Sequence, residues 1–399
     1  MSAIFRVLVN NQTYTDRSSH ALQSALSHAY HKSEAFCMCH SQPVKLIIKC
    51  YHKGTLNVMH GLARWPETGF DHHQDCLFFG DNPIDRLQHA LPAVVKTEEG
   101  LQRIYLEAGL ELPSKASVPG QLKSFKSKSA EVKRNRLDDA TLLNTLWRTS
   151  SLNIFRGKST QWFQACYAIL NAAKRFIINQ SGATLDQYLL IAAANHDKLI
   201  NAHNQTVMAH AGNGKHQLLV IGRLHHIHPE KKRQILPLKE FSGIPRISVQ
   251  REQLESFLNA HQHVGDNSIG QTSKIMLARI APDNKEWWNC ESLNGMITDQ
   301  NLIPCNSIAE LAFAAFLVSQ ERRFVRIIHE GPDDLQSRCQ FILIDGFPRT
   351  YCEVFDSLLQ DGVDNIALRG KFFEGSGKRY LSWIREDGSP FPTLPEVQN

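Results

Sequence analysis

The chain has 399 residues, of which 42% are hydrophobic and 21% are charged, and its formal net charge is +5. This length and composition indicate an ordinary globular protein of two or three units. No apolar run approaches the roughly 20 residues that span a bilayer, and an odd number of cysteines over so long a chain does not suggest a secreted disulfide framework. We therefore expect a cytoplasmic protein with no membrane partner.

Residues 1–112 predict a small α+β module, with β-branched, apolar strands at 4–9 and 44–51. The module contains a Cys-x-Cys pair, a gap of 32 residues and then His-x-x-x-Cys: the four residues are Cys37, Cys39, His72 and Cys76. Thiolate and imidazole groups are the ligands that zinc prefers, and four of them close a tetrahedral structural site. The pattern therefore predicts a structural zinc knuckle, which would fold the module without catalysing a reaction.

Two other interpretations of this pattern stay open. The cysteines can be scattered free thiols beside an unrelated histidine, and both His40 and His73 compete with His72 for the fourth ligand position. The remaining six cysteines lie mostly among apolar neighbours, where buried free thiols are expected.

The same residues carry a family resemblance. Residues 64–76 read Arg-Trp-Pro-Glu-Thr-Gly-Phe-Asp-His-His-Gln-Asp-Cys. Together with the Cys-x-Cys pair, this run resembles an uncharacterised family of bacterial proteins carried on integrating conjugative elements and plasmids, whose block is Arg-x-Pro-x-x-Gly-x-x-His-x-x-x-Cys. The resemblance implies an association with mobile DNA and protein partners from a mobile element, but it implies no activity.

Residues 113–137 are rich in serine, lysine, proline and glycine, which predicts a flexible linker. Its basic residues face a single acid, Glu131, and the DNA-contacting candidates among them are Lys123, Lys126, Lys128, Lys133, Arg134 and Arg136. Such a run binds nucleic acid through phosphates, without sequence preference and with strong salt dependence. The alternative is a solvated spacer with no ligand.

Residues 138–300 predict a central helical and mixed α/β region. Asp138 or Asp139 caps a first helix whose apolar face carries Leu142, Leu143, Leu146 and Trp147, and a second helix follows at 160–179. Two short amphipathic helices in succession can form a helix-turn-helix-like pair that binds DNA, although more often they only pack against each other. Strands are predicted at 217–221, 245–249 and 275–280, with a helix at 251–263.

Residues 301–399 predict a C-terminal α/β domain. A helix at 307–320 contains Glu310, a strand at 340–344 runs into Asp345, and the next strand, 351–355, contains Glu353, before a final helical segment toward Trp383. This order of carboxylates resembles PD-(D/E)XK nucleases, in which they hold Mg²⁺ or Mn²⁺ ions that polarise phosphate and activate water. The resemblance implies a metal-dependent deoxyribonuclease.

The chain departs from that motif at one position, because it reads Glu353-Val354-Phe355 where the nucleases have Asp/Glu-x-Lys. Lys371, in the following segment, could supply a migrated cation. Two alternatives stay open: a degenerate nuclease fold that only binds DNA, and an unrelated α/β domain whose carboxylates serve local turns.

The sequence thus predicts an α+β protein with a zinc-knuckle module, a central mixed region and a nuclease-like C-terminal domain. We expect a DNA-associated protein of bacterial mobile elements that cuts DNA through its C-terminal domain. The alternative is a non-catalytic zinc-containing DNA-binding or protein-adaptor factor.

Overall fold

The computed structural model describes residues 5–17, 19–30, 32, 34–40, 42–51, 59–65, 68–73, 76–79, 93–97, 100–110, 136–179, 181–211, 216–225, 233–260, 272–283, 287–328, 339–356, 366–375, 377–386 and 389–397. Over these residues the chain is mixed α+β, as predicted, with seven α-helices and four β-sheets. No described helix is long and apolar enough to cross a membrane.

The N-terminal sheet is antiparallel and packs against one helix. Its strands, in spatial order, are β2 (Gln12–Tyr14), β1 (Val7–Val9), β3 (Ala35–Cys37), β4 (Val44–Tyr51) and β5 (Met59–Arg64). Helix α1 (His20–Ala29) begins where the Ser19 hydroxyl accepts a bond from the Leu22 N–H at 3.2 Å. Leu22 and Leu26 bury its inner face, so this sheet has a small core of its own.

A three-stranded sheet follows, with two helices beside it. Its strands are β6 (Val94–Lys96), β7 (Gln102–Ile104) and β9 (Phe176–Ile178), and the helices are α2 (Asp139–Thr149) and α3 (Trp162–Ala173). The predicted apolar face of α2 is fully buried, and the indole N–H of Trp147 donates to the carbonyl of Leu302 at 3.0 Å. Because that face lies in the core, it is a packing surface.

The central sheet has six strands of mixed direction. In spatial order they are β10 (Leu189–Ile191), β11 (Leu218–Arg223), β14 (Ser273–Pro282), β15 (Trp287–Thr298), β13 (Arg246–Gln250) and β12 (Arg233–Ile235). Helix α4 (Lys198–Ala211) connects the parallel pair β10 and β11, and α5 (Arg251–Ala260) packs on β15 and β13. A side chain at Gly295 in β15 would meet the Phe257 ring of α5 at 2.4 Å, so the helix and this strand approach closely there.

The C-terminal sheet also has five strands. In spatial order they are β19 (Arg379–Arg385), β18 (Thr350–Asp356), β17 (Phe341–Leu343), β16 (Phe324–Arg326) and β8 (Ile154–Phe155), with helices α6 (Ile308–Ser319) and α7 (Ile366–Gly375). The prediction that the final helical segment extends toward Trp383 is wrong. The helix stops at Gly375, and Trp383 lies in β19, whose aromatic and β-branched residues pair in parallel with β18.

Two strand pairings connect segments that lie far apart in the chain. Strand β7 pairs with β9, and β8 pairs with β16. These pairings cross the predicted boundaries near residues 112 and 300. Two of the four described sheets therefore combine strands from more than one of the predicted units.

Candidate metal centre

The four predicted zinc ligands come together at one end of the N-terminal sheet. Cys37 ends β3 and Cys39 follows two residues later, while His72 follows a short 3₁₀ turn at Gly69–Asp71. The ligand atoms of Cys37, Cys39, His72 and Cys76 all lie within 4.8 Å of one another. Among the described residues, this is the one group of three or more histidine, cysteine or acidic side chains with such spacing.

The distances between these atoms fit a tetrahedral zinc ion. With zinc bonds of about 2.3 Å to sulfur and about 2.0 Å to nitrogen, a regular tetrahedron has sulfur–sulfur edges of about 3.8 Å and sulfur–nitrogen edges of about 3.5 Å. The Cys37 and Cys76 sulfurs are 3.5 Å apart. His72 Nδ1 lies 3.5 Å from the Cys39 sulfur and 3.8 Å from the Cys76 sulfur. The residues present therefore fit the ion that the sequence predicts, and His72 supplies Nδ1.

Backbone N–H groups support the thiolates. The N–H of His73 donates to the Cys39 sulfur at 3.3 Å, and that of Phe78 donates to the Cys76 sulfur at 3.4 Å. The turn that contains the second donor is closed by a bond from the Phe79 N–H to the Cys76 carbonyl at 3.0 Å. Such bonds favour the ionised form of sulfur, which is the form that binds a metal.

The centre is largely shielded from water. Cys37 and His72 are fully buried, and Cys76 is buried among the apolar residues of the N-terminal core. Nε2 of His72 is also buried and has no hydrogen-bond partner among the described residues, and its ring lies 5.6 Å from that of Phe78. Burial by apolar side chains is expected for a structural metal site.

The three thiols compete for a single negative charge. The pKa of Cys39 is lowered, first by the hydrogen bond with Cys37 and then by the bond with Cys76. The pKa of Cys37 is raised, chiefly by its bond with Cys39. Charge therefore concentrates on Cys39, the least buried of the three, and a divalent cation is what would let the others ionise as well. None of the nine cysteines forms a disulfide bond.

A buried arginine attaches the metal centre to the C-terminal sheet. Arg349, which immediately precedes β18, is 2% exposed, and its Nη2 donates to the carbonyl of His72 at 2.8 Å. Its Nη1 donates to the carbonyls of Gly346, at 3.0 Å, and Ile344. Burial lowers the pKa of Arg349, and the negative charge of Asp71 is the largest influence that opposes this shift. One guanidinium thus joins the backbone of His72, a candidate metal ligand, to the β17–β18 turn.

Aromatic contacts surround this arginine. The ring of His40 lies 5.5 Å from that of His73 and 5.4 Å from that of Phe347, so it sits between the two segments. Phe79, three residues after the last ligand, packs both on the N-terminal core and on a cluster under the C-terminal sheet. The metal-binding module is therefore docked on the C-terminal sheet.

The predicted catalytic carboxylates each have a structural partner instead. Glu310 accepts bonds from Arg326 Nη2 and from the backbone N–H of Asn306, both at 2.7 Å. Asp345 accepts two bonds from Arg322, at 2.8 and 2.7 Å.

Glu353 accepts a bond from the hydroxyl of Tyr380, and Lys371 is exposed on α7. Glu310, Asp345 and Glu353 are all described, yet their oxygens do not form a group with the spacing of a shared ion site. The described structure therefore gives each carboxylate a separate partner: arginines pair with Glu310 and Asp345, and a tyrosine hydroxyl donates to Glu353.

The predicted DNA-contacting run lies almost wholly outside the described residues. Lys123, Lys126, Lys128, Lys133 and Arg134 fall in the undescribed part of the chain, and Arg136 is exposed where the description resumes. Their role stays a prediction.

The sequence analysis did not identify Arg349. The only signal for this residue in the sequence is a cation immediately before an apolar strand.

The comparisons with known proteins give one match. The family model described as "protein of unknown function (DUF1173)" matches residues 8–367, which include all four metal ligands and Arg349. No curated protein and no solved structure matches the chain. The match confirms the predicted resemblance to an uncharacterised family. It does not show the predicted mobile-element setting or the predicted likeness to nucleases. The chain belongs to the DUF1173 family of proteins of unknown function.

Proposed function

We propose that the chain binds one zinc ion through Cys37, Cys39, His72 and Cys76, and that this centre has a structural role. The observation that carries the proposal is the set of ligand-atom distances, which match the edges of a zinc tetrahedron. Four protein ligands leave no open position for water or substrate, as expected for a structural site.

The centre stabilises more than its own loop. Zinc would fix Cys39 and His72 relative to each other, and the backbone of His72 is the acceptor for Arg349. Metal binding would therefore also hold the acceptor that anchors the module to the C-terminal sheet. Since ligands must deprotonate to bind, the affinity should fall in acid.

The test uses the purified full chain with Co²⁺ in place of zinc. Tetrahedral Co²⁺ bound by three thiolates absorbs strongly in the visible range. During a titration, this absorption should stop rising at about one equivalent of Co²⁺ per chain. Cys37→Ser should abolish the saturable band, while Cys50→Ser, a half-buried cysteine of β4 outside the centre, should leave it unchanged. Equal spectra for both variants would contradict the assigned ligands.

A second proposal, association with nucleic acid, has a specific observation in its favour. Lys96 ends β6 opposite Gln102, whose N–H donates to the carbonyl of Arg175 at 2.8 Å. Partial burial lowers the pKa of Lys96, and three neighbouring cations lower it further, in the order Arg64, Arg175 and Lys49. A group of cations attracts a polyanion such as the phosphate backbone of DNA. This proposal includes the predictions that the sequence makes: DNA binding by the basic run at 113–137, a mobile-DNA setting, protein partners from a mobile element and a cytoplasmic location.

DNA retention at several salt concentrations tests the second proposal. Lys96→Glu should weaken retention at every salt concentration and make its salt dependence shallower, by a slope of about one for each lost phosphate contact. Lys158→Glu, at another exposed lysine, is the matched control. Retention that is insensitive to salt and to Lys96 would contradict the proposal. We do not propose cleavage, since the carboxylates are not assembled, and we expect no nicking of supercoiled plasmid with Mg²⁺ or Mn²⁺.

A further inference from the structure

The C-terminal segment at residues 389–397 contains no helix or strand and lies against α6 and β19. Its Phe391 ring stacks on Phe316 of α6, with the ring centroids 4.3 Å apart and the planes at 2°. The same ring lies 4.8 Å from that of Trp383 in β19. Two aromatic side chains of the folded domain therefore form a groove that holds one aromatic side chain of the segment.

Two buried donors bind the backbone of the segment. The indole N–H of Trp383 donates to the carbonyl of Pro390 at 3.1 Å, and Arg322 Nη1 donates to the carbonyl of Pro395 at 2.9 Å. Trp383 and Arg322 are only 7% and 3% exposed, so both donors are held firmly by the domain. They contact main-chain oxygens, which any extended segment presents.

The sequence of the segment favours an extended conformation. It reads Ser-Pro-Phe-Pro-Thr-Leu-Pro-Glu-Val, in which three prolines fix their own φ angles and bias the residue before each toward extended backbone. A polyproline II helix has no internal hydrogen bonds, so its carbonyls are available to a partner. Aromatic-lined grooves with preformed donors are the general way in which proteins bind such segments.

Part of the segment is exposed, although Leu394 packs on the C-terminal core and the Ser389 hydroxyl donates to the carbonyl of Ile384. Phe391 is 41% exposed even though it stacks on Phe316, and Val397 at the end of the segment is 51% exposed. A peptide seated on a surface in this way exchanges more readily than a core element.

We propose that the groove between α6 and β19 is a binding site for extended proline-containing segments. The chain's own residues 389–397 are its resident ligand, which a segment of the same type from another chain replaces. The groove reads an aromatic side chain between two prolines through Phe316 and Trp383. It reads the backbone through Trp383 and Arg322. This inference is independent of the zinc centre.

The test measures binding of a fluorescent peptide, with the sequence of residues 389–397, to the full chain by anisotropy. In Phe391→Ala the resident segment has lost its stacking contact, so the peptide should bind this variant at least about tenfold more tightly than the wild type. The reason is that the tethered native segment competes at an effective concentration near the millimolar range. A peptide with alanine for the phenylalanine should bind the variant about three- to tenfold more weakly.

Two further variants separate groove binding from a general effect. The double variant Trp383→Phe, Phe391→Ala keeps an aromatic ring at position 383 but lacks the indole N–H. It should bind the peptide about three- to tenfold more weakly than Phe391→Ala alone does. Phe241→Ala, at an aromatic residue that is 69% exposed elsewhere, should bind like the wild type. Circular dichroism should show each variant folded. The proposal is overturned if Phe391→Ala unfolds the chain, or if the folded variant binds the peptide no better than the wild type does.

Discussion

Replacing Arg349 with methionine should loosen the metal-binding module from the C-terminal sheet while leaving every zinc ligand in place. The guanidinium donates to three backbone carbonyls, of Ile344, Gly346 and His72, in a site where only 2% of the residue is exposed. Methionine fills much of the same volume but donates to none of them. The three carbonyls would then be buried without these partners.

The magnitude follows from those contacts. Each buried carbonyl that loses its hydrogen bond costs roughly 1–3 kcal/mol. Part of this loss is offset, because the variant no longer has to bury the charged guanidinium. We expect a net loss of about 2–5 kcal/mol in the free energy of unfolding. At about 2.1 cal/mol/K of unfolding entropy per residue, a cooperative chain of this length should melt about 2–6 °C lower.

The assay is thermal unfolding followed by near-ultraviolet circular dichroism, with zinc content measured on the same samples. Arg323→Met is the matched control, since Arg323 is a neighbouring but exposed arginine, and it should change stability by no more than about 0.5 kcal/mol. Arg349→Lys should fall between the two, because an ammonium cannot reproduce the fixed fork of the guanidinium. A melting temperature for Arg349→Met within about 1 °C of the control would refute the reasoning.

Three more outcomes follow from the packing. Gly295→Ala should lower stability by about 1–3 kcal/mol or more in a denaturant titration, because its new methyl group would meet a strand carbonyl at 2.3 Å, whereas Gly109→Ala, with no atom within 4 Å of the new methyl, should be nearly neutral. Asp139→Asn should cost several kcal/mol in the same titration, because it leaves the buried Arg279 guanidinium without its counter-charge, and a loss below about 1 kcal/mol would contradict this. Burial raises the pKa of Cys166 to about 12, so its thiol should stay unlabelled by iodoacetamide at pH 8.5 in the native chain and react after unfolding; native labelling would show that the site is open.

The metal ligands could be predicted from sequence because their chemistry is rare and their spacing is local. The two residues of Cys-x-Cys, and the two of His-x-x-x-Cys, lie close in sequence, so only the meeting of the two pairs was left to the fold. The choice of His72 over His40 and His73 was also predicted, and it depends on the 3₁₀ turn that directs Nδ1 at the thiols.

The partners of the carboxylates could not be predicted, for the opposite reason. Strand order alone placed Asp345 and Glu353 near one another, but the sequence does not reveal which side chain each one meets. Their partners are Arg322, a distant neighbour in sequence, and Tyr380 on a strand that was predicted as helix. Long-range pairing of buried charges depends on packing that no local pattern encodes.

The attachment of the module to the C-terminal sheet was unpredictable for a related reason. Arg349 lies 277 residues from His72 in the chain, and neither residue belongs to a motif that names the other. The two strand pairings that cross the predicted boundaries are also contacts between distant segments. Periodicity locates elements well, but it carries little information on which sheet an element joins.

X-ray absorption at the zinc edge of the purified chain tests the central claim most directly, because it reports the ligand atoms themselves. The account predicts one zinc ion per chain, with three sulfur atoms at about 2.3 Å and one nitrogen at about 2.0 Å. A shell of nitrogen and oxygen alone would contradict it. So would a chain purified with zinc present that retains no metal.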